Sequence, residues 1–277
     1  MKNRFANSFF VALLALVVMS VASVAQAQQQ SQQGPSKYVY LTAVSLKPGS
    51  MAQYRKLEEA RIADLRAAKA PDHFWMMEQI TGSGMLISIH GFDSFAEMQN
   101  DHHEVWSNAE LASQLTANDT ARGLLVRESH DSIYMFRKDL SLHADQSLED
   151  MRFMRMWVVR VKPGHQADFE NIAKAEAKAL GASAEVHWAV FEKMYGEGSG
   201  VTFLVATPMK SLGDLDTRMA NQQKMRGMVG EGLAQLVMSM EGKAIAKSES
   251  DLFVFAPKLS YVPDSWLTAS PDFWGKK

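Results

Sequence analysis

The 277-residue chain contains no cysteine. That absence excludes disulfides, thiolate metal sites, a cysteine nucleophile and a lipid anchor on cysteine, so stability has to come from the core. Basic clusters are missing too: Lys and Arg together number 29 against 31 Asp and Glu, for a net charge of −2. Binding to nucleic acid rests on neutralised phosphates, so no nucleic-acid partner is expected. There is no Gly-x-Ser-x-Gly elbow, phosphate loop, dinucleotide fingerprint or His-Glu-x-x-His pair. Gly227, Gly230 and Gly232 have loosely similar spacing but follow no strand, and read as loosening or bending a helix. With 47% apolar and 22% charged residues the composition is globular, and the length suits one large domain or two ordinary ones.

The first 27 residues have the three parts of a secretory signal. Lys2 and Arg4 supply the positive start, Phe9 to Val18 an uncharged apolar run, and Ala25-Gln26-Ala27 the small residues of a cleavage site. Ser20, Ser23 and Gln26 interrupt the run before the ~20 apolar residues that a membrane span needs. The expectation is a signal peptide over 1–27, a flexible Gln/Ser leader over 28–36, a periplasmic or extracellular destination, and no stable membrane anchor after cleavage.

The chain then repeats itself. Val44-Ser45-Leu46-Lys47-Pro48-Gly49 returns as Val159-Arg160-Val161-Lys162-Pro163-Gly164, 115 positions later. Tyr54 and Leu57 correspond to Phe169 and Ile172 in segments of helical period. His73-Phe74 and His187-Trp188 each open a short run with a Glu five residues after the His (Glu78, Glu192). Gly-rich turns at 82–84 and 196–200 lead to apolar, β-branched runs, then a second helical stretch, and each copy closes on a strand-like run, Ser132–Arg137 and Asp251–Ala256. Lys-Pro-Gly stops a strand, because Pro cannot donate to a ladder and Gly releases the backbone into a turn. The order is β-α-β-β-α-β twice, an α+β class of two tandem ferredoxin-like units over 37–142 and 152–262, with a linker over 143–151 and an aromatic tail over 263–277. The first strand of each unit is apolar on both faces, which calls for a second layer beyond the helices. Packing the two sheets against each other gives a barrel-like interior with helices outside.

On these residues the sequence resembles the dimeric α+β barrel superfamily, in particular its antibiotic-biosynthesis-monooxygenase-like and NIPSNAP-like families. The resemblance implies a barrel with a cavity, formed here within one chain, so that a monomer or a homodimer are both open. It also implies a range of activities: monooxygenases, haem enzymes, isomerases and inert binders. Fold does not choose among them.

Several residues are candidates for a ligand pocket between the sheets. On one face of the first strands stand Tyr40, Thr42, Arg155 and Trp157. Arg155 between aromatic neighbours suits an anionic or aromatic ligand, or else extends to solvent. His73, His187 and His90 either serve a pocket, His90 or His73 as a base, or accept ordinary hydrogen bonds; Glu78 and Glu192 read as charges guarding sheet edges. Asp101-His102-His103-Glu104 is the densest polar cluster. Adjacent helical residues diverge by about 100°, so it is not read as a metal site. The resemblance leaves haem open through a single helix histidine, with His102 the candidate ligand, although no motif calls for a cofactor. The 18 Met residues read as core filling rather than a copper site. The tail holds Trp266, Phe273 and Trp274, which should dock across the barrel or onto another chain. The leading functional expectation is an exported binder of a small hydrophobic or aromatic molecule. Alternatives are a cofactor-independent or haem-handling oxygenase, and a structural or interaction protein with a filled interior.

Overall fold

Turn chemistry divides the chain as the repeat suggests. The computed structural model describes residues 34–275; the signal segment 1–27 and residues 28–33 of the leader lie outside them. The first half runs β1 (Tyr38–Leu46), α1 (Met51–Ala68), β2 (Phe74–Gln79), β3 (Leu86–Phe92), α2 (Phe95–Ser107), α3 (Ala109–Gly123) and β4 (Val126–Phe136). The second runs β5 (Phe153–Val161), α4 (Gln166–Leu180), β6 (Ala189–Gly196), β7 (Thr202–Met209), α5 (Gly213–Ala220), α6 (Gln222–Val229), α7 (Glu231–Lys243) and β8 (Ile245–Phe255), before the tail helices α8 (Asp264–Ala269) and α9 (Pro271–Trp274). Gly49 and Gly164 close the two Lys-Pro-Gly turns at φ +81° and +85°, a left-handed conformation that favours glycine.

All ladders are antiparallel, and the strands close into an eight-stranded barrel in the order β1-β3-β2-β8-β5-β7-β6-β4. Each half contributes four consecutive strands of the same internal order. The seams between halves are β2 against β8 and β4 against β6. The registers also correspond: Tyr40 faces His90 across β1 and β3, and Arg155 faces Thr207 across β5 and β7.

The lumen is apolar and packed. Val39 and Leu41 from β1 meet Met154 and Met156 from β5, with Met77, Ile87, Ile89, Phe191, Leu204 and Phe253 around them. Helices cover the outer faces of the two half-sheets in separate clusters, one around Tyr54, Ile62, Phe74 and Leu111, the other around Val159, Phe169, Phe203 and Met240. The tail docks on its own barrel at the end where β1, β2, β5 and β6 begin. Trp274 is 1% exposed, packs edge-on against Phe255 and donates from Nε1 to the Glu149 carbonyl at 2.9 Å. Arg152 stacks 4.0 Å over Phe273 and donates to Ser270 Oγ.

Some details depart from the sequence-based expectations. The second helical stretch is broken in both halves. Asn108 ends α2 and caps α3 through Leu111 N, and Gly230, at φ +81°, separates α6 from α7. β4 and β8 begin earlier than their apolar runs, because Arg127–Asp131 and Ala246–Ser250 are exposed polar stretches that pair with β1 and β5 nonetheless. Glu78 and Glu192 guard no edge, since β2 and β6 are paired on both sides; Glu78 binds Arg55 and Glu192 binds Arg137.

Candidate functional site

Strand alternation puts Val39, Leu41, Met154 and Met156 inside the barrel, so Tyr40, Thr42, Arg155 and Trp157 face outward, beneath the helices. In place of the expected space between the sheets, the lumen holds the apolar cluster around Val39, Leu41, Met154 and Met156. What opens instead is a cleft of about 220 Å³ between the second half's sheet and its own helices α5 and α6. That is below the ~300–1,000 Å³ of drug-sized sites, so it suits a small molecule.

Of the expected pocket residues, Arg155 and His187 line this cleft. Arg155 rises from β5 and donates from Nε to Ser250 Oγ at 3.0 Å. Burial, then the charge of Arg218, holds its pKa below the usual arginine value. Arg218 comes from α5 at the exposed mouth, and Lys224 from α6. Among the described residues no carboxylate lies within ion-pair distance of either arginine. The two acids that line the cleft are engaged elsewhere. Asp214 accepts from Lys210 N and from Ser211, and Glu185 accepts from Asn221. Nearby Glu176 is pushed up by burial and partly drawn back by Arg218. Met209, Met225 and Met228 supply an adaptable apolar wall. His187 donates from Nε2 to the Pro208 carbonyl at 2.7 Å, which fixes its ring. Trp157 lies below this layer, donating to Ser248 Oγ and packed among Phe203 and its neighbours.

Tyr40, Thr42, His73 and His90 sit on the corresponding outer face of the first half, apart from the cleft. His90 donates from Nδ1 to Asp72 at 2.8 Å, stacks on Phe74 and meets Tyr40 edge-on. His73 stacks on Tyr261; burial, only partly countered by Asp72, lowers its pKa. Thr42 donates to Asp131 at 2.7 Å. The equivalent positions of the second half are thus open and cationic, whereas here they are occupied and acidic.

Haem does not fit at His102. Its ring lies on the exposed face of α2, beside exposed Trp106, with no enclosed space before it. Among the described residues no three His, Asp or Glu side chains are grouped as metal ligands would be. Sequence reasoning missed Arg218, Lys224 and Asp72. Arg218 and Lys224 belong to helices whose orientation over the sheet has no local signal, and Asp72 belongs to the turn before β2.

No family model matches the chain, and no curated protein matches it either. Solved structures do match. A protein assigned as a monooxygenase from Lactobacillus acidophilus NCFM is 10% identical, with 80% of this chain and 94% of that one covered, at a TM-score of 0.50. An anthrone oxidase-like protein is 12% identical, with 79% and 91% covered, at 0.52. A chlorite dismutase variant from Candidatus Nitrospira defluvii is 10% identical, with 84% and 95% covered, at 0.47. At such identities the shared property is the fold, an antiparallel eight-stranded barrel with helices over its outer faces.

Proposed function

We propose that this chain is an exported, tandemly duplicated α+β barrel that binds a small amphipathic anion, an aromatic or short aliphatic carboxylate, in the cleft of its second half. The observation that carries the reading is that Arg155 and Arg218 both line a methionine-walled cleft, neither in an ion pair among the described residues and only Arg218 under the more distant charge of Glu176. Two like charges facing each other at a partly desolvated site are costly alone and favourable around a bound anion, and a guanidinium accepts a carboxylate in two-point geometry. The apolar wall then takes the rest of the molecule. Duplication is supported by the matched registers and strand orders of the halves, and export by the signal-like residues 1–27. Titration calorimetry of residues 28–277 with benzoate and 1-naphthoate tests the reading. Saturable binding is expected, weakened at least tenfold by Arg155→Ala or Arg218→Ala, and absent for the uncharged amides. Equal affinity for acid and amide, or no heat with either, would overturn it.

An oxygenase with His90 or His73 as base is the second reading, favoured by the fold shared with the monooxygenase-like structures. The surroundings of His90 point to a different chemistry.

A further inference from the structure

We propose that Ser88, His90 and Asp72 form a nucleophile, base and orienting acid that hydrolyse small uncharged carboxylic esters on the outer face of the first half. Ser88 and His90 are two residues apart on β3, and a strand's period of two places both side chains on the same face. Ser88 Oγ lies 3.4 Å from His90 Nε2, and His90 Nδ1 lies 2.8 Å from Asp72 Oδ1. Burial pushes the Asp72 carboxyl up, but the hydrogen bond from His90, with the charge of Arg61, brings it below the usual carboxylate value. An ionised carboxylate only accepts, so the imidazole proton is on Nδ1, and Nε2 presents its lone pair to the serine hydroxyl. This is the tautomer a general base requires. The 3.4 Å contact is long, as such contacts often are before substrate binds. The ring cannot swing away easily, since it stacks on the buried Phe74 at 5.1 Å and meets Tyr40 edge-on at 6.2 Å.

The constellation has no counterpart in the other half, where Val186, Val205 and Thr207 hold the corresponding positions. Ser88 is partly exposed, so its hydroxyl can be reached. Thr42 lies directly across the ladder from Ser88, and Tyr40 lies diagonal to it. The Thr42 hydroxyl already donates a hydrogen bond to Asp131. Burial, then the charge of Asp131 and a hydrogen bond to it, raises the Tyr40 pKa, so the phenol keeps its proton; a developing oxyanion would draw that hydrogen bond away from Asp131. Ser88 Oγ attacks the ester carbonyl while its proton passes to Nε2. The C–O bond to the alcohol then breaks, and the departing alcohol takes that proton. Water repeats the sequence on the acyl-serine, releasing the carboxylic acid and restoring the Ser88 hydroxyl. Substrate charge follows from the neighbours: Asp72, Asp101 and Asp131 would repel an anionic ester, and Arg61 is already paired with Glu58. Neither the cleft at Arg155 nor the hollow beside Trp106 reaches this face, so it offers a long acyl group little enclosure and small esters suit it best.

The test is covalent labelling of residues 28–277 with a fluorophosphonate, read by intact mass and peptide mapping, together with 4-nitrophenyl acetate turnover. One phosphonyl adduct per chain at Ser88 is expected. Ser88→Ala and His90→Gln should each lower labelling and turnover at least 100-fold, and Asp72→Asn at least tenfold, with circular dichroism unchanged. Should Ser88→Ala disturb the fold, Ser88→Cys replaces it: its reaction with iodoacetamide at neutral pH should be at least tenfold faster than when combined with His90→Gln. An adduct elsewhere, no adduct, or turnover that persists in a folded Ser88 variant would overturn the proposal.

Discussion

The two halves of the barrel share strand order and register but hold their helices down by different chemistry. In the first half Glu58, fully buried on α1, binds Arg61 at 2.8 Å and Arg122 from α3, and Arg122 also binds Asp119. Tyr54 completes the group beneath the Arg122 guanidinium. At the matching positions of the second half stand Phe169, Ala173 and Glu176. There the contact is apolar, with Phe169 stacked on Phe203 at 4.5 Å and Met240 beside them. The same contrast runs through the outer faces, where acids and a hydrogen-bonded histidine occupy the first half and unpaired cations an open cleft in the second. A scaffold that closes its lumen with apolar side chains from both halves leaves each outer face free to diverge.

The most severe way to break the comparison is to remove the charge at the centre of the first helix layer. Glu58→Ala strands Arg122 and Arg61, and losing one partner of a buried ion pair typically costs ~3–5 kcal/mol. Replacing Glu58 and Arg122 together by leucine should recover most of that, giving the first half the apolar character of the second. Urea unfolding of the three proteins checks this; a Glu58→Ala variant within 1 kcal/mol of the parent, on the scale expected for a surface change, would show that the ions are not coupled as the geometry implies.

Next in size is the element the halves share. Trp274 seals the lumen against Phe255, Trp266 and Phe273, so Trp274→Ala should cost about 3 kcal/mol by leaving a cavity that the neighbours fill only in part. Because the tail also reaches the first half, where Trp266 packs against Trp75 at 5.7 Å, the whole barrel should still unfold in one transition. Separate transitions in calorimetry would show that the tail stabilises one half alone.

How far the sequence revealed this depends on whether the determinant is local. Lys-Pro-Gly, the Gly-rich hairpins and the alternation of β1 and β5 are local, so element order and the existence of two distinct strand faces could be read directly. Which face lies inside could not, because both faces of β1 and β5 are largely apolar and barrel closure decides between them. Arg155 could be singled out as a cation among aromatics. Its partner Arg218 could not, since they meet only through the packing of α5 over the sheet. Ser88 and His90 had a readable signal in their spacing of two along a strand, but Asp72 reaches them by the path of the preceding turn.

The two seams between halves offer the smallest and most specific test. At the β4–β6 seam Arg137 binds Glu170 at 3.0 Å, Glu192, and Asp139 at 2.9 Å; the residue matched to it at the β8–β2 seam is Ala256. The hydrogen bond from Arg137 is the largest influence on Asp139; burial opposes it, and Lys174 reinforces it, so the carboxyl titrates at about 2. A carboxyl whose folded pKa lies below its unfolded value of about 4 stabilises the fold above that value, and the contribution fades as pH falls towards 2. Asp139 is 45% exposed, so solvent and salt screen the effect and it should be modest. Melting temperatures of the parent and Asp139→Asn should therefore differ at pH 6, converge between pH 4 and 2, and approach each other at pH 6 when salt is raised. A gap that stays constant down to pH 2 would assign the role of Asp139 to its neutral hydrogen bonds, and the β4–β6 seam would then owe less to charge than its contacts suggest.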